Sequence, residues 1–371
     1  MSLLRTMTVY LLAGAVRLPL IRVPGILVPG ILVLAILVPL SSDAQHNLPD
    51  VVKPSPSINL GSTSFYDGFG RLKPGFTLLE YLRFSHNTEI GDADGNENPN
   101  FVSPRINSLP LLTQLIVTSK WRPFGGAAGF SVLVPLVDVR TSFADNSPRR
   151  LLVNQFGLGD IVAGPTYQSK SFFHKSTSVI PASLSAGSAG RPPAAKADPK
   201  PLFAYRIQAL VQIPSGEFHP WVNINPGSGY WAVVPYVAAT WLPWRKVEMS
   251  TRLHYQYNLP TTRIGNPPPI PHLVYVNGQA GQLVYGNFTG SYRATRKLYL
   301  GANSYAVYQL SPDRTNGVTV SKARETQFYL GPGGGYDFNR RNTLNVNVYL
   351  KIESHNTASG PAIQMLYIHR F

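Results

Sequence analysis

Residues that could do chemistry are present but not gathered. Eight histidines are spread along the chain: His46, His86, His174, His219, His254, His272, His355 and His369. None pairs with another at metal-ligand spacing, and no HExxH motif occurs. The sequence has no cysteine, which excludes disulfides, thiolate nucleophiles and Cys-ligated zinc. One run, Asp92-Ala93-Asp94-Gly95-Asn96, places oxygen ligands at alternate positions, as a calcium loop does. Such a loop needs Gly at its sixth position and Glu at its twelfth, and Glu97 and Ser103 stand there instead. Asp92, Asp94 and Asn96 are thus a weak cation candidate in a solvated loop, and no other metal and no cofactor is expected. Ser250 and His254 lie four apart in an alternating segment. On a strand that separates them by about 13 Å, too far for a nucleophile and its base. His86 and His355 have Ser or Asn neighbours but no motif, so no catalytic set is expected. The Gly-rich run Gly331–Phe338 (GPGGGYDF) lies inside a strand pattern and opens no helix, so its glycines read as room for neighbouring groups.

The elements that must position these residues show a period of two. In Lys246–Asn258, Val247, Met249, Thr251, Leu253, Tyr255 and Tyr257 interleave with Glu248, Ser250, Arg252, His254, Gln256 and Asn258. In Thr343–Ser354, Leu344, Val346, Val348, Leu350 and Ile352 alternate with Asn345, Asn347, Tyr349, Lys351 and Glu353. Phe203–Ile213 behaves alike. Such strands have one apolar and one polar face. Twelve candidates emerge, over 75–85, 111–122, 127–138, 157–168, 203–214, 230–242, 246–258, 279–293, 298–310, 325–337, 342–353 and 361–371. At about 10–13 residues they are longer than the usual soluble strand and long enough to cross a bilayer when tilted. Short turns alternate with long loops rich in Asp, Asn, Pro and Gly, the pattern of an outer-membrane barrel. The segment 170–201 breaks it as a Ser/Ala/Pro/Lys-rich low-complexity insertion.

Composition agrees. Charged residues are 14% of the chain, low for a soluble domain, yet mean hydropathy is −0.03. That excludes a helical membrane bundle, and aromatics at 11% argue against disorder. The net charge of +15 raises nucleic acid as a partner, but no Lys/Arg block exists, and no nucleic acid is expected. Residues 1–44 have a basic start, an apolar run Val23–Leu40 and the small-residue exit Ser42-Asp43-Ala44. They read as a cleaved secretory signal peptide, the competing reading being an anchor. Its removal takes away three Arg and one Asp and leaves a net +13. At the other end Ile363, Met365, Tyr367 and Phe371 alternate up to a terminal aromatic, similar to the signal by which outer-membrane barrels are recognised for assembly.

Several stretches resemble the transporter family named for the MetA pathway of phenol degradation. They are Gly157-Leu158-Gly159-Asp160 with Gly164-Pro165, Gln212–Phe218 (QIPSGEF), Tyr230-Trp231, Gly301–Gly317 (GANSYAVYQLSPDRTNG), the Gly-rich run and the closing Arg370-Phe371. The residues carrying the resemblance are Gly157, Gly159, Asp160, Pro214, Gly216, Tyr305, Gln309, Asp313, Gly317, Gly331, Pro332 and Phe371. The resemblance spans most of 60–371. It implies an outer-membrane channel of a Gram-negative bacterium that passes aromatic or other apolar small molecules.

The expected fold is therefore all-β, a transmembrane antiparallel barrel of about twelve strands over 75–371. It would follow a signal peptide (1–44) and a segment (45–74) that lies either in the periplasm or in the lumen as a plug. The lumen would be lined by Lys120, Arg206, Gln208, Gln212, Glu248, Arg252, His254, Gln256, Glu325, Gln327, Asn345, Asn347, Lys351 and Glu353. Both charge signs occur there, which implies weak ion selectivity. The expected partners are outer-membrane lipid, the barrel-assembly machinery through the Phe371 strand, and a small apolar or aromatic solute. The competing readings are a barrel enzyme of phospholipase type and a structural or adhesive barrel.

Overall fold

A sheet whose strands each show one apolar and one polar face must cover the apolar one, and here lipid rather than a second sheet does so. The computed structural model describes residues 48–52, 60, 63–173 and 201–371. The expected signal peptide and nearly all of the 170–201 insertion lie outside the described residues. Twelve long strands follow in order. They are β1 (Gly75–Asn87), β2 (Arg105–Thr118), β3 (Ala127–Ser142), β4 (Phe156–Leu158 continued by Ile161–Gln168), β5 (Pro201–Ile213) and β6 (Ala232–Trp244). The second half is β7 (Val247–Asn258), β8 (Leu283–Arg293), β9 (Leu298–Gln309), β10 (Thr326–Asp337), β11 (Asn342–His355) and β12 (Ala362–Arg370). Each pairs antiparallel with the next. β12 also pairs with β1, Thr77 opposite Arg370 and Ser85 opposite Ala362, which closes the barrel. Closure leaves no long sheet edge unpaired, the condition for crossing a medium that offers no hydrogen bonds.

Burial is inverted relative to a soluble sandwich. Along β7 the buried residues are Glu248, Ser250, Arg252, His254, Gln256 and Asn258, while Met249, Leu253 and Tyr257 are exposed. On β6 Val233, Val237 and Trp241 face out, and Val234, Tyr236, Ala238 and Thr240 face in. An apolar exterior around a polar interior is the build of an outer-membrane barrel. Trp121, Phe124 and Trp244 lie at the short-turn end and are strongly exposed, as interfacial aromatics are.

Several element boundaries differ from the sequence reading, and two are instructive. β2 starts at Arg105, six residues before the expected 111, and ends at Thr118. Pro110 resembles a loop residue, yet it sits in the strand with its missing N–H at a gap in the ladder, since the β1 pairing steps from Leu82–Leu111 to Ser85–Ser108. β8 starts at Leu283, and Gly278–Gln279 instead joins Arg314–Thr315 and Val318–Thr319 in a small sheet of the long loops.

A third difference changes a face. On β11, Lys351 pairs with Tyr329 but Glu353 pairs with Phe328, so Ile352 is an extra residue in a bulge. The bulge ends the strict alternation. Lys351 remains in phase with inward Tyr349. Glu353 moves to the phase of Phe328, is exposed, and bonds His355 at 3.0 Å. Its assignment to the lumen is corrected accordingly.

Candidate functional site in the barrel lumen

The inner wall is tyrosine-rich. Tyr81, Tyr236, Tyr285, Tyr299, Tyr305, Tyr329 and Tyr349 are all buried on inward-facing strand positions. Tyr305 stacks on Tyr329 with centroids 4.7 Å apart and meets Tyr349 edge-on at 5.0 Å. Arg83 lies over the Tyr305 ring and donates to its hydroxyl at 2.6 Å. His254 is stacked on Tyr285 at 4.3 Å, with Tyr236 on its other side at 4.7 Å. Sequence patterning alone missed this lining, because tyrosine serves both the apolar and the polar face. Only its phase with Asn345 and Asn347, as at Tyr349, carries the signal.

Residues 63–70 lie against this wall. Asn303 of β9 donates to the Thr63 carbonyl at 2.9 Å, and Asn347 of β11 to the Ser64 hydroxyl at 3.2 Å. The Tyr66 amide donates to Glu248 of β7 at 2.9 Å. The Gly68 amide donates to the Thr240 hydroxyl of β6 at 2.8 Å, and Gln168 of β4 donates to the Gly68 carbonyl at 2.8 Å. Bonds to so many strands around the barrel put this segment inside it. Two glycines allow the approach. A Cβ on Gly68 would stand 2.3 Å from the Thr240 nitrogen, and one on Gly333 would stand 2.2 Å from Asn347 Oδ1 and 3.2 Å from Phe65. The Gly-rich run of β10 is thus where the buried Phe65 ring meets the wall.

Asp67 is the electrostatic centre of the segment. Its carboxylate accepts from Arg206 Nη2 at 2.8 Å, and from Arg252 Nε at 2.8 Å and Nη2 at 2.6 Å. Arg252 also lies over the Tyr236 ring at 4.8 Å. Burial alone would raise the Asp67 carboxyl, but the two guanidinium charges outweigh it and hold the group at about 2. Further along the axis, Thr315 donates to the Pro49 carbonyl at 2.8 Å, and the Gly265 amide to the Val51 carbonyl at 2.9 Å. Residues 49–51 therefore sit among the long loops, at the opposite end from Arg71, which donates to the main-chain oxygen of Phe371.

Eight of the twelve resemblance residues gather at two loop anchors. Asp160, in the break of β4 beside Gly157 and Gly159, accepts from the Gly216 amide at 3.0 Å, the Ser228 amide at 2.8 Å and Gln212 Nε2 at 3.2 Å. Pro214 accepts from Arg263 at 3.3 Å. At the second anchor, Asp313 accepts from Gln309 Nε2 and from the Gly281 amide, both at 2.7 Å. Gly317 turns the same loop with a φ of 78°. Gly331 and Pro332 lie on β10, and the Phe371 amide donates to the Phe76 carbonyl at 3.1 Å.

Nine of the expected lumen residues are buried on inward positions: Arg206, Gln208, Gln212, Glu248, Arg252, His254, Gln256, Asn345 and Asn347. Gln327 and Glu325 are half-buried at the loop end, and Lys120 lies beyond β2. Lys351 is more exposed and pairs with Glu89 of a loop. Ser250 bonds Glu248 and Thr240, so its hydroxyl is engaged away from His254. Asp92 Oδ1 accepts the amides of Asp94 and Asn96, both at 2.9 Å, as an Asx turn does. Asp94 faces Lys322 at 3.7 Å. Among the described residues no group of three or more His, Asp or Glu side chains has metal-binding geometry.

Among the described residues, two cavities are lined by inward-facing side chains. One of about 30 Å³ lies mid-barrel between Gln114, Gln212, Tyr236, His254, Gln256 and Tyr285. The other, of about 530 Å³, opens at the short-turn end below residues 64–71.

A closed twelve-stranded barrel with these motifs at its loop anchors matches a described sequence family. The pattern described as the MetA-pathway of phenol degradation covers residues 89–367. The chain belongs to this family. This MetA-pathway family member is also similar in fold to an outer membrane channel from Pseudomonas putida F1. The two are 12% identical, with 83% of this chain and 100% of that chain covered and a TM-score of 0.62. The β domain of the Bordetella autotransporter BrkA follows at 9% identity, 81% and 100% coverage and a TM-score of 0.43. No curated protein matches the sequence. The MetA-pathway family member is an outer-membrane β-barrel.

Proposed function

We propose that this barrel is a passive outer-membrane channel for small apolar or aromatic compounds, with no catalytic role. The carrying observation is the tyrosine-rich lumen of a closed barrel, which offers aromatic faces and hydroxyls along the axis rather than a reactive pair. Aromatic solutes gain from offset or edge contacts with such rings by about 0.5–1.5 kcal/mol each. The Pseudomonas putida relative in fold is itself an outer membrane channel, which supports the reading. The buried polar residues from Arg206 through Asn347 would line the path, and residues 45–70 would act as the plug that restricts it. The mid-barrel cavity of about 30 Å³ has room for little more than one water and is lined by wall residues such as Gln114, Tyr236 and His254, so passage requires those side chains to move as well as the segment. A signal peptide over 1–44 would deliver the chain to the periplasm. The Phe371 strand would be recognised by the assembly machinery.

Proteoliposome swelling tests the reading. Phenyl glucoside, an aromatic solute too polar to cross lipid unaided, is compared with sucrose. Faster swelling with phenyl glucoside than with sucrose is expected. Swelling no faster than in protein-free liposomes for either solute would refute the channel.

A further inference from the structure

Charge is unbalanced around the cavity of about 530 Å³ at the short-turn end. Its walls include Arg71, Arg206, Arg293, Arg296, Lys297, Arg340 and Arg370 against only Asp67 and Asp337. The two acids are already engaged. Asp67 is shared by Arg206 and Arg252, and Asp337 pairs with Arg293 at 3.0 Å. Arg71 is turned onto the main-chain oxygen of Phe371. Among the described residues, Arg296, Lys297, Arg340 and Arg370 have no acidic side chain within ion-pair distance. The Arg370 guanidinium donates to the Thr343 hydroxyl over a long 3.4 Å. Lys297 donates to the Phe338 carbonyl at 3.2 Å and lies over the Tyr336 ring at 6.0 Å.

Beside polar Thr77, Thr118, Thr166, Gln168, Thr343 and Asn345, one part of the wall is apolar. Leu79, Ile116, Leu366 and Ile368 project inward beside the Phe65 and Phe69 rings. The volume falls within the roughly 300–1,000 Å³ of small-molecule sites, and an apolar lining with a few convergent charges is their usual chemistry. Several cations at one concave mouth also raise the local concentration of anions. An inorganic anion would use the charges and leave the apolar wall idle. A neutral aromatic would do the reverse.

We propose that this cavity is a binding site for aromatic carboxylates. The carboxylate would face Arg296, Arg340 and Arg370, where a guanidinium fork can hold both oxygens, and the ring would lie against Leu79, Ile116 and Leu366. The channel reading above supplies the anion's route, whereas binding is measured independently of it.

Isothermal titration calorimetry on the purified full-length protein in detergent tests the site with benzoate, benzyl alcohol and inorganic phosphate. Benzoate binds saturably, and the other two bind at least about tenfold more weakly. The double variant Arg296→Gln/Arg340→Gln changes only exposed turn residues, so the barrel still forms. It weakens benzoate by about tenfold and leaves benzyl alcohol unaffected. Benzoate binding no tighter than benzyl alcohol or phosphate, or at wild-type affinity in the double variant, would overturn the site. Phenyl glucoside swelling of the same preparation separates the two readings. Swelling without benzoate binding removes the anion site alone, and benzoate binding without swelling removes only the channel.

Discussion

Asp67 holds two arginines that would otherwise repel each other inside the barrel. Its carboxyl is depressed to about 2 from an ordinary 3.8. A depressed carboxyl stabilises the folded contact above its unfolded value, and that contribution fades as pH falls through the folded one. Residues 63–70 should therefore stay in place from neutral pH down to about pH 4 and loosen between about 4 and 2. Pepsin cleavage near Phe65 and Phe69 between about pH 4 and 2 and conductance recorded over the same range both read this, and trypsin cleavage after Arg71 reads it at neutral pH in variants. Asp67→Asn keeps a hydrogen-bonding group but removes the charge. It should mimic acid at neutral pH, because stripping one partner from a buried pair costs about 3–5 kcal/mol. The barrel itself should persist, since its closing pairs lie elsewhere. Gly333→Leu tests the same contact from the wall. Its side chain would collide with Asn347 and the Phe65 ring, so Arg71 should again become open to trypsin. Unchanged cleavage in both variants would mean that the segment is not held by these contacts.

At the scale of the strand, the inverted faces make a directional prediction. Val237 faces outward midway along β6. Arginine there meets lipid and should cost about 2–4 kcal/mol of stability in lipid vesicles, by denaturant unfolding. Arginine at Ala294, exposed on the turn between β8 and β9, should cost about 0–1 kcal/mol, because turn residues sit at the interface. Equal costs would contradict the membrane face. These faces were legible in the sequence wherever alternation ran unbroken, as along β7. They were illegible where one residue of chain was added or disguised. Ile352 continues an apolar alternation, and nothing local marks it as the bulged residue that turns Glu353 outward. Pro110 reads as loop because a missing N–H is usually intolerable in a ladder, yet a gap of two skipped pairs accommodates it. The site was less legible than the fold for a different reason. Arg206 and Arg252 stand on polar phases, but their shared partner Asp67 lies in a segment without periodicity, 139 and 185 residues away.

Across the whole molecule, one stretch of chain is tied near both ends of the barrel. Pro49 and Val51 are held by Thr315 and Gly265 among the long loops, while Arg71 is held at Phe371 beside the short turns. Between them the Asp67 cluster grips the wall. Loss of the loop-end bonds alone would leave that cluster intact, so shortening the chain only to residue 52 should change conductance little. Removing 45–70 takes away Asp67 and Phe65 together and joins the cavity of about 530 Å³ to the axis above it. Single-channel conductance in planar bilayers should then rise by several-fold relative to the intact chain. The freed Arg206 and Arg252 would join the turn-end cations on a continuous path, so the open channel should also favour anions over cations in reversal-potential measurements. Unchanged conductance would refute the plug, and an increase without anion preference would show that the arginines lie off the path.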